Sequence, residues 1–322
     1  KTTDMYVVGE ELPAVFGNSA PKGNYADMRT DGWEASLSWR DSHKVAGKTL
    51  SYNIKVAVWD NTSKITRYTA KTGTLPTNYS INYYEGMTLG EMWGYKCDGL
   101  FQSDEEAQTW ANYSKFTNRS ATWQAGDPRY LDLNGDGYVN NGNNTIYDHG
   151  DLVKIGNTTP RYSYSIQGGV RWNGIGISMM WQGVGKRDWY PAKESGYFWG
   201  QYGRPYSIAL PWHNDRYTDA NQNTDAYWPR LIGYTAQGAN AILSQPNTRY
   251  LQKARYVRLK NLTIDYTFPK HICKKLRLEG LKVYLSGENL FTHSPMFKHT
   301  DMFDPEVITS GDSDFAASTT SG

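Results

Sequence analysis

The stretch from Asp132 to Asn140, DLNGDGYVN, carries the clearest chemistry in the chain. Asp132, Asn134 and Asp136 place side-chain oxygens at alternate positions. Gly137 stands where a sharp turn is needed, and Tyr138 follows with its backbone carbonyl. Converging oxygens of this kind bind a hard cation such as calcium. The pattern is the first half of an EF-hand-type loop. The bidentate Glu of such a loop is missing, because its place holds Asn143, so Asp148 or Asp151 must close the shell. The expectation is a Ca2+ site formed by Asp132, Asn134, Asp136, Tyr138 and Asp151. The competing reading is an Asx-rich turn held by side-chain to backbone hydrogen bonds.

No catalytic constellation accompanies it. His43, His149, His213, His271, His293 and His299 are scattered, with no HExxH, no GxSxG and no GxxxxGK[ST]. Gly183–Asp188, GVGKRD, starts like a dinucleotide loop but has Asp188 where the third glycine belongs. Cys97 and Cys273 form no metal spacing. We therefore expect no enzyme. A second group of residues suits binding. Between Trp189 and Arg249 lie Trp189, Tyr190, Tyr197, Phe198, Trp199, Tyr202, Tyr206, Trp212, Tyr217, Tyr227, Trp228 and Tyr234. Flat rings stack on the apolar faces of sugars, and Trp189, Tyr190, Trp199 and Trp212 are the candidate substrate contacts. Most of the remaining rings are expected to pack the loop onto itself or onto a partner.

These residues need elements to position them. In Arg161–Gly183, RYSYSIQGGVRWNGIGISMMWQG, the residues Tyr162, Tyr164, Ile166, Val170 and Trp172 alternate with Arg161, Ser163, Ser165, Gln167 and Arg171. Alternation at period two is the signature of a β-strand with one apolar face. Asn173-Gly174 fits a two-residue hairpin turn, after which Ile175, Ile177, Met179 and Trp181 resume the apolar face. The same half-apolar pattern recurs at Trp33–Trp39, Leu50–Val58, Leu262–Phe268 and Leu281–Leu285. A parity slip upstream of Leu262 marks a β-bulge near Lys260–Asn261. Asp104–Trp110 reads as a short helix in a loop, with Asp104 favouring its N-terminus.

Six strands in three hairpins result. The turns within hairpins are short (DSHKVAG, NG and PKHICKKLRLEG), and the connections between them, roughly 61–159 and 189–249, are very long. Compact domains rarely carry structureless loops beyond about 15 residues. Short turns at one end and long loops at the other, on strands of about ten residues, are the arrangement of an outer-membrane β-barrel. Composition agrees. The chain has 322 residues, with 25 Tyr and 12 Trp against 9 Phe and a net charge of +2. Amphipathic rings dominate, as in membrane girdles and sugar-binding surfaces. The mean hydropathy of −0.69 excludes helical membrane spans but not half-apolar strands. No basic block points to nucleic acid. On this reading Leu50, Tyr52, Ile54, Val56, Tyr162, Tyr164, Ile166, Val170, Trp172, Ile177, Met179 and Trp181 point to outer-membrane lipid. Asn53, Lys55, Gln167 and Arg171 point inward. A β-sandwich with decorated loops is the alternative fold. A secreted β-rich carbohydrate-binding protein is the alternative function.

Several segments together resemble one family. They are MRTDGWEASLSWRD, YYEGMTLGEMWGYKCDGLFQSDEE, LDLNGDGYVN, IGNTTPRYSYSI, WQGVGKRDWYP, YVRLKNLTIDYTFP and VYLSGENLFT. In this order they resemble the C-terminal part of a SusC/RagA-type TonB-linked (TonB-dependent) outer-membrane transporter. The resemblance implies an all-β fold, here about six strands of an antiparallel transmembrane β-barrel of 22 strands. Residues 1–322 would then be the C-terminal portion of the barrel. It also implies import of oligosaccharides or peptides, a SusD-like surface lipoprotein as lid, and the TonB complex acting through an N-terminal plug absent from this chain. Such barrels finish on a downward strand with a terminal aromatic residue, whereas the strand near Leu281–Phe291 is expected to run upward and the chain stops at Gly322. The expectation is a chain incomplete at both ends, with residues after Thr292 outside the cell.

Overall fold

The computed structural model describes residues 1–8, 22–69, 75–76, 82–110, 123–193, 195–203, 207–232, 236–237 and 241–308. Strands β1 to β6 are Thr2–Val8, Lys22–Val45, Lys48–Tyr68, Glu91–Tyr95, Cys97–Leu100 and Pro128–Tyr130. Strands β7 to β13 are Leu152–Asn157, Arg161–Trp172, Ile175–Lys186, Asp188–Trp189, Gln252–Lys253, Tyr256–Thr267 and Lys282–His293. Helices α1, α2 and α3 are Asp104–Thr109, Gly196–Trp199 and Lys270–Lys275.

The alternating segments pair as expected, into one antiparallel sheet in the order β1-β2-β3-β8-β9-β12-β13. It has seven strands rather than six, because Thr2–Val8, which shows no clean alternation, pairs with the start of β2. The hairpin Arg161–Lys186 turns at Asn173 and Gly174, both at positive φ (48° and 88°), as a two-residue turn of this hand requires. The turn expected over DSHKVAG is tighter than the sequence suggested. It closes at Ala46 and Gly47, again both at positive φ, and pairing continues through Val45–Lys48. The third turn contains α3, whose apolar Cys273 is buried. The bulge lies where parity slips: Leu259 and Asn261 on β12 face Trp181 and Met180 on β9, so Lys260 is the extra residue.

Register carries the apolar set from strand to strand. Ile54 lies opposite Gly168, Gly168 opposite Met179, and Met179 opposite Leu262. Val56, Ile166 and Trp181 form the next row, and Tyr52, Val170, Ile177 and Ile264 the row on the other side. The face is edged by aromatics. Trp172 and Tyr266 lie toward the hairpin turns, while Tyr164, Trp181 and Phe291 lie toward the long connections, with Trp181 edge-on to Phe291. Eight residues of β8 separate Tyr164 from Trp172, about 20 Å once strand tilt is allowed for. Among the described residues no second layer covers this face: Leu37, Ile54, Met179, Ile264 and Leu285 are all exposed, Leu285 at 75%. A sandwich would have interdigitated them with another sheet. Among the described residues no helix is long and apolar enough to cross a membrane.

The long connections fold into a separate layer. Three two-stranded sheets (β4–β7, β5–β6 and β10–β11) brace it. Its core is aromatic: Trp93, Tyr95, Phe101, Tyr130, Trp189, Tyr190, Phe198, Trp199, Tyr202, Trp228 and Tyr250 form one buried cluster. Helix α1 appears where expected, but Ser103 caps it, its Oγ accepting from Glu106 N–H at 3.1 Å.

Candidate functional site

The face of the sheet opposite the apolar one is polar and crossed by ion pairs. Arg171 on β8 and Asp265 on β12 both lie opposite Gly176 on the strand between them. Arg171 Nη2 donates to both Asp265 oxygens at 2.9 and 3.0 Å, over the top of Gly176. A Cβ at Gly176 would stand 2.5 Å from Asp265 Oδ2 and 2.8 Å from Arg171 Nη2, so the bridge lies directly over the glycine and would have to shift to admit a side chain there. Lys282 approaches the same carboxylate at 3.5 Å. Around them lies a recess of about 420 Å³, lined by Arg40, Asn53, Ser178 and Thr263 among others. Arg171, Gln167, Lys55 and Asn53 share this face, as the alternation indicated.

Toward the loop layer, the segment after β13 folds back against the same face. Arg258 donates to Asp304 and to Glu306, each at 2.5 Å, and Lys260 Nζ reaches both Glu306 oxygens at 3.0 and 3.1 Å. Arg187 donates to the carbonyls of Pro305, Glu306 and Ile308. Phe303 packs on Trp189 at 4.9 Å, and His299 stacks on Tyr227 at 3.7 Å. Burial and the neighbouring Lys298 pull the His299 imidazole down to about 4. This clasp was not legible in the sequence. HSPMFKHTDMFDPEVITSG, which follows Thr292, shows no alternation, and only the spacing of Asp304 and Glu306 hints at paired carboxylates. Residues 309–322 lie outside the described residues.

The candidate substrate rings take a different place from the one expected. Trp189, Tyr190 and Trp199 are fully buried in the aromatic core, so their faces meet other rings rather than a binding surface. Trp199 packs edge-to-face among Phe198, Trp228 and Tyr250, with its indole N–H on the Ala192 carbonyl at 2.9 Å. Trp212 is half-buried against that core. Tyr206 and Tyr234 lie outside the described residues. The buried His213 is neutral: Leu210 N–H donates to Nδ1 at 3.0 Å, and Nε2–H donates to the Phe198 carbonyl at 2.7 Å. Burial draws its pKa below the ordinary range.

In the Asp132–Asp151 loop the carboxylates gather backbone N–H groups. Asp132 accepts from Gly135 at 2.7 Å and Gly137 at 2.8 Å, and Asp136 from Tyr138 at 2.8 Å. The buried Asp151 holds Leu133 N–H at 2.7 Å and Asn140 N–H at 2.8 Å, which ties the two ends of the loop together. Each carboxylate oxygen has two lone pairs, so an oxygen that accepts one N–H keeps capacity for a cation. Asp148 instead accepts from Asn143.

The chain thus presents an open, all-β antiparallel sheet, apolar and aromatic-edged on one face and charged on the other, a pattern consistent with the wall of a membrane β-barrel. No family model matches the chain. Among curated proteins it is similar to TonB-dependent receptor P3 of Formosa agariphila, at 23% identity over 100% of this chain, and to receptor P26 of the same organism, at 22% over 95%. It spans 29% and 28% of their lengths. Among solved structures it is similar to the RagAB peptide transporter, with a TM-score of 0.62 and 19% identity over 96% of this chain and 30% of that one. The RagAB importer in its open-open state gives 0.60, with 17% identity over 91% and 28%. The chain is similar to TonB-dependent receptors, has the fold of part of RagAB, and spans about three-tenths of the length of the proteins it matches.

Proposed function

We propose that this chain forms part of the barrel wall of an outer-membrane active transporter. The transporter imports oligosaccharides or peptides, works with the TonB complex, and is covered by a SusD-like lipoprotein. One observation carries the reading: the uncovered apolar face, rowed with aromatics about 20 Å apart, backs onto a charged face. A soluble protein would hide a patch of that extent, which weighs against the secreted binding module. The names of the curated relatives and the RagAB fold support it. The test uses the intact protein in its own cells. Uptake of the cognate oligomer should stop when the TonB complex is deleted and when the lid lipoprotein is removed. Uptake that persists without the TonB complex refutes the reading. We also propose that the Asp132–Asp151 loop holds calcium in the loop layer. The alternate spacing of Asp132, Asn134 and Asp136 in the sequence supports this.

A further inference from the structure

Register sorts the charges of the sheet. The apolar face carries few in its middle rows; by register Arg29, Asp31, Asp41, Lys48, Asp60 and Lys64 lie on it toward its two ends. The opposite face is lopsided in sign. Near the hairpin turns it presents Arg40, Lys44, Lys55, Arg171 and Lys282, and near the loops Arg161, Lys186 and Arg258. Its strands offer Glu34, Asp265 and Glu288 in return, and Asp60 of β3 reaches Arg161 at the loop end. Asp265 is already shared between Arg171 and Lys282, and Arg161 is held by Asp60. Arg40 and Lys55 are exposed and have no acidic partner among the described residues. The cations thus run the full height of the face, as a stripe rather than a patch. The molecule also shows what such a surface accepts. At the loop end, Asp304 and Glu306 seat their carboxylates on Arg258 and Lys260.

From this stripe we infer that the charged face binds carboxylate-bearing oligomers, with Arg40, Lys55 and the Arg171–Lys282 recess as the seat nearest the hairpin turns. The inference rests on the transport reading, since it names the class of cargo that passes along that wall. Cationic walls in a conduit of low dielectric concentrate anions and speed their entry. The recess has hydroxyls and amides from Asn53, Ser178 and Thr263 for hydrogen bonds beside the charges. A carboxylate can come from an acidic peptide or from a uronic-acid oligosaccharide.

The experiment measures binding to the intact transporter in detergent by titration calorimetry. One arm compares tetraglutamate with tetraserine, the other tetragalacturonate with tetragalactose. At least one acidic oligomer should bind about tenfold more tightly than its neutral counterpart, and the arm that responds names the source. Binding should weaken about tenfold between roughly 50 and 300 mM salt, because exposed charges are screened. The double substitution Arg40→Gln, Lys55→Gln should weaken acidic binding about tenfold, and Glu34→Gln should not. Equal binding of acidic and neutral oligomers in both arms, or an unchanged affinity in the double variant, overturns the inference. So does a double variant that binds acidic oligomers normally but exposes new protease sites elsewhere in the polypeptide, because the stripe would then hold an internal segment. Persistence of uptake without the TonB complex would sink the transport reading while leaving the binding result untouched.

Discussion

The lipid-facing assignment can be tested on two neighbours of β9, Met179 and Ser178. Met179 lies on the apolar face, opposite Gly168 on β8 and Leu262 on β12. Gly168 is four residues from Tyr164 and four from Trp172, which mark the two aromatic edges. At about 3.3 Å per residue and a tilt near 40°, each residue advances about 2.5 Å along the membrane normal. Met179 therefore sits about 10 Å from either edge, near the middle of an apolar band about 25 Å tall. Arginine there should cost about 2–4 kcal/mol, a factor of about 30 to 900 in the folding equilibrium. Ser178 is one residue away but points to the charged face, between Gly169 and Thr263. Arginine at that position enters a polar recess and should change stability by no more than about 0.5 kcal/mol. Urea titration of the intact protein in phosphocholine vesicles, followed by heat-modifiable gel migration, reads both variants. Equal costs, or the larger cost at Ser178, would refute the assignment of faces.

Three further outcomes are expected. Trp199→Ala, which empties the centre of the aromatic core and strands the Ala192 carbonyl, should destabilise the loop layer by about 3–5 kcal/mol; limited proteolysis should then cut the long connections while the barrel keeps its heat-modifiable migration. The depressed His299 pKa implies a pH dependence: the unfolded segment gains a proton near pH 6.5 but the folded one only near 4, so docking weakens as pH falls through that window, by at most about 1.4 kcal/mol per unit. Hydrogen exchange of residues 294–308 in the protein and in His299→Gln isolates the imidazole; parallel profiles would remove it as the cause. Calcium should bind the intact protein with a dissociation constant on the order of 0.1–1 mM, and Asp132→Asn with Asp136→Asn should abolish it; calorimetry showing no uptake at several millimolar calcium would leave the loop as an Asx turn.

The sheet was legible because period-two alternation is a local signal. Each of the hairpins at Asn173-Gly174, Leu50–Val58 and Leu262–Phe268 announced its own faces, and the Lys260 bulge showed as a slip in parity. What alternation cannot give is register. The Arg171–Asp265 bridge joins residues 94 apart and passes over Gly176 between them, so no stretch of sequence displays it. Strand β1 was missed because Thr2–Val8 is assigned by its pairing with β2 and not by a pattern of its own. Residue type alone points the rings at Trp189, Tyr190 and Trp199 toward substrate. Type does not distinguish a ring that meets a ligand from one that meets another ring.

The burial of those rings follows from the sheet beneath them. A loop of a soluble protein can rest on the apolar core of its domain. Here the apolar face of the sheet looks away from the loops, and the face that continues beneath them carries Arg258, Lys260 and Arg187. The connections between hairpins therefore have no shared core to borrow and must build one. That requires length and large side chains, since small domains bury proportionately little surface. The excess of Tyr and Trp supplies both area and polar tips: Tyr130 Oη donates to the Ile242 carbonyl at 2.7 Å, and Tyr202 Oη to the Pro229 carbonyl at 2.6 Å. The tail after β13 joins the same core through Met296, Phe303 and Ile308 while its carboxylates reach down to the cations of the sheet. It is anchored in both layers, as is the segment Gly86–Leu89 through its backbone bonds to Ser63 and Ile65 of β3, so cutting that clasp should loosen the loop layer on the sheet before either loses its own fold.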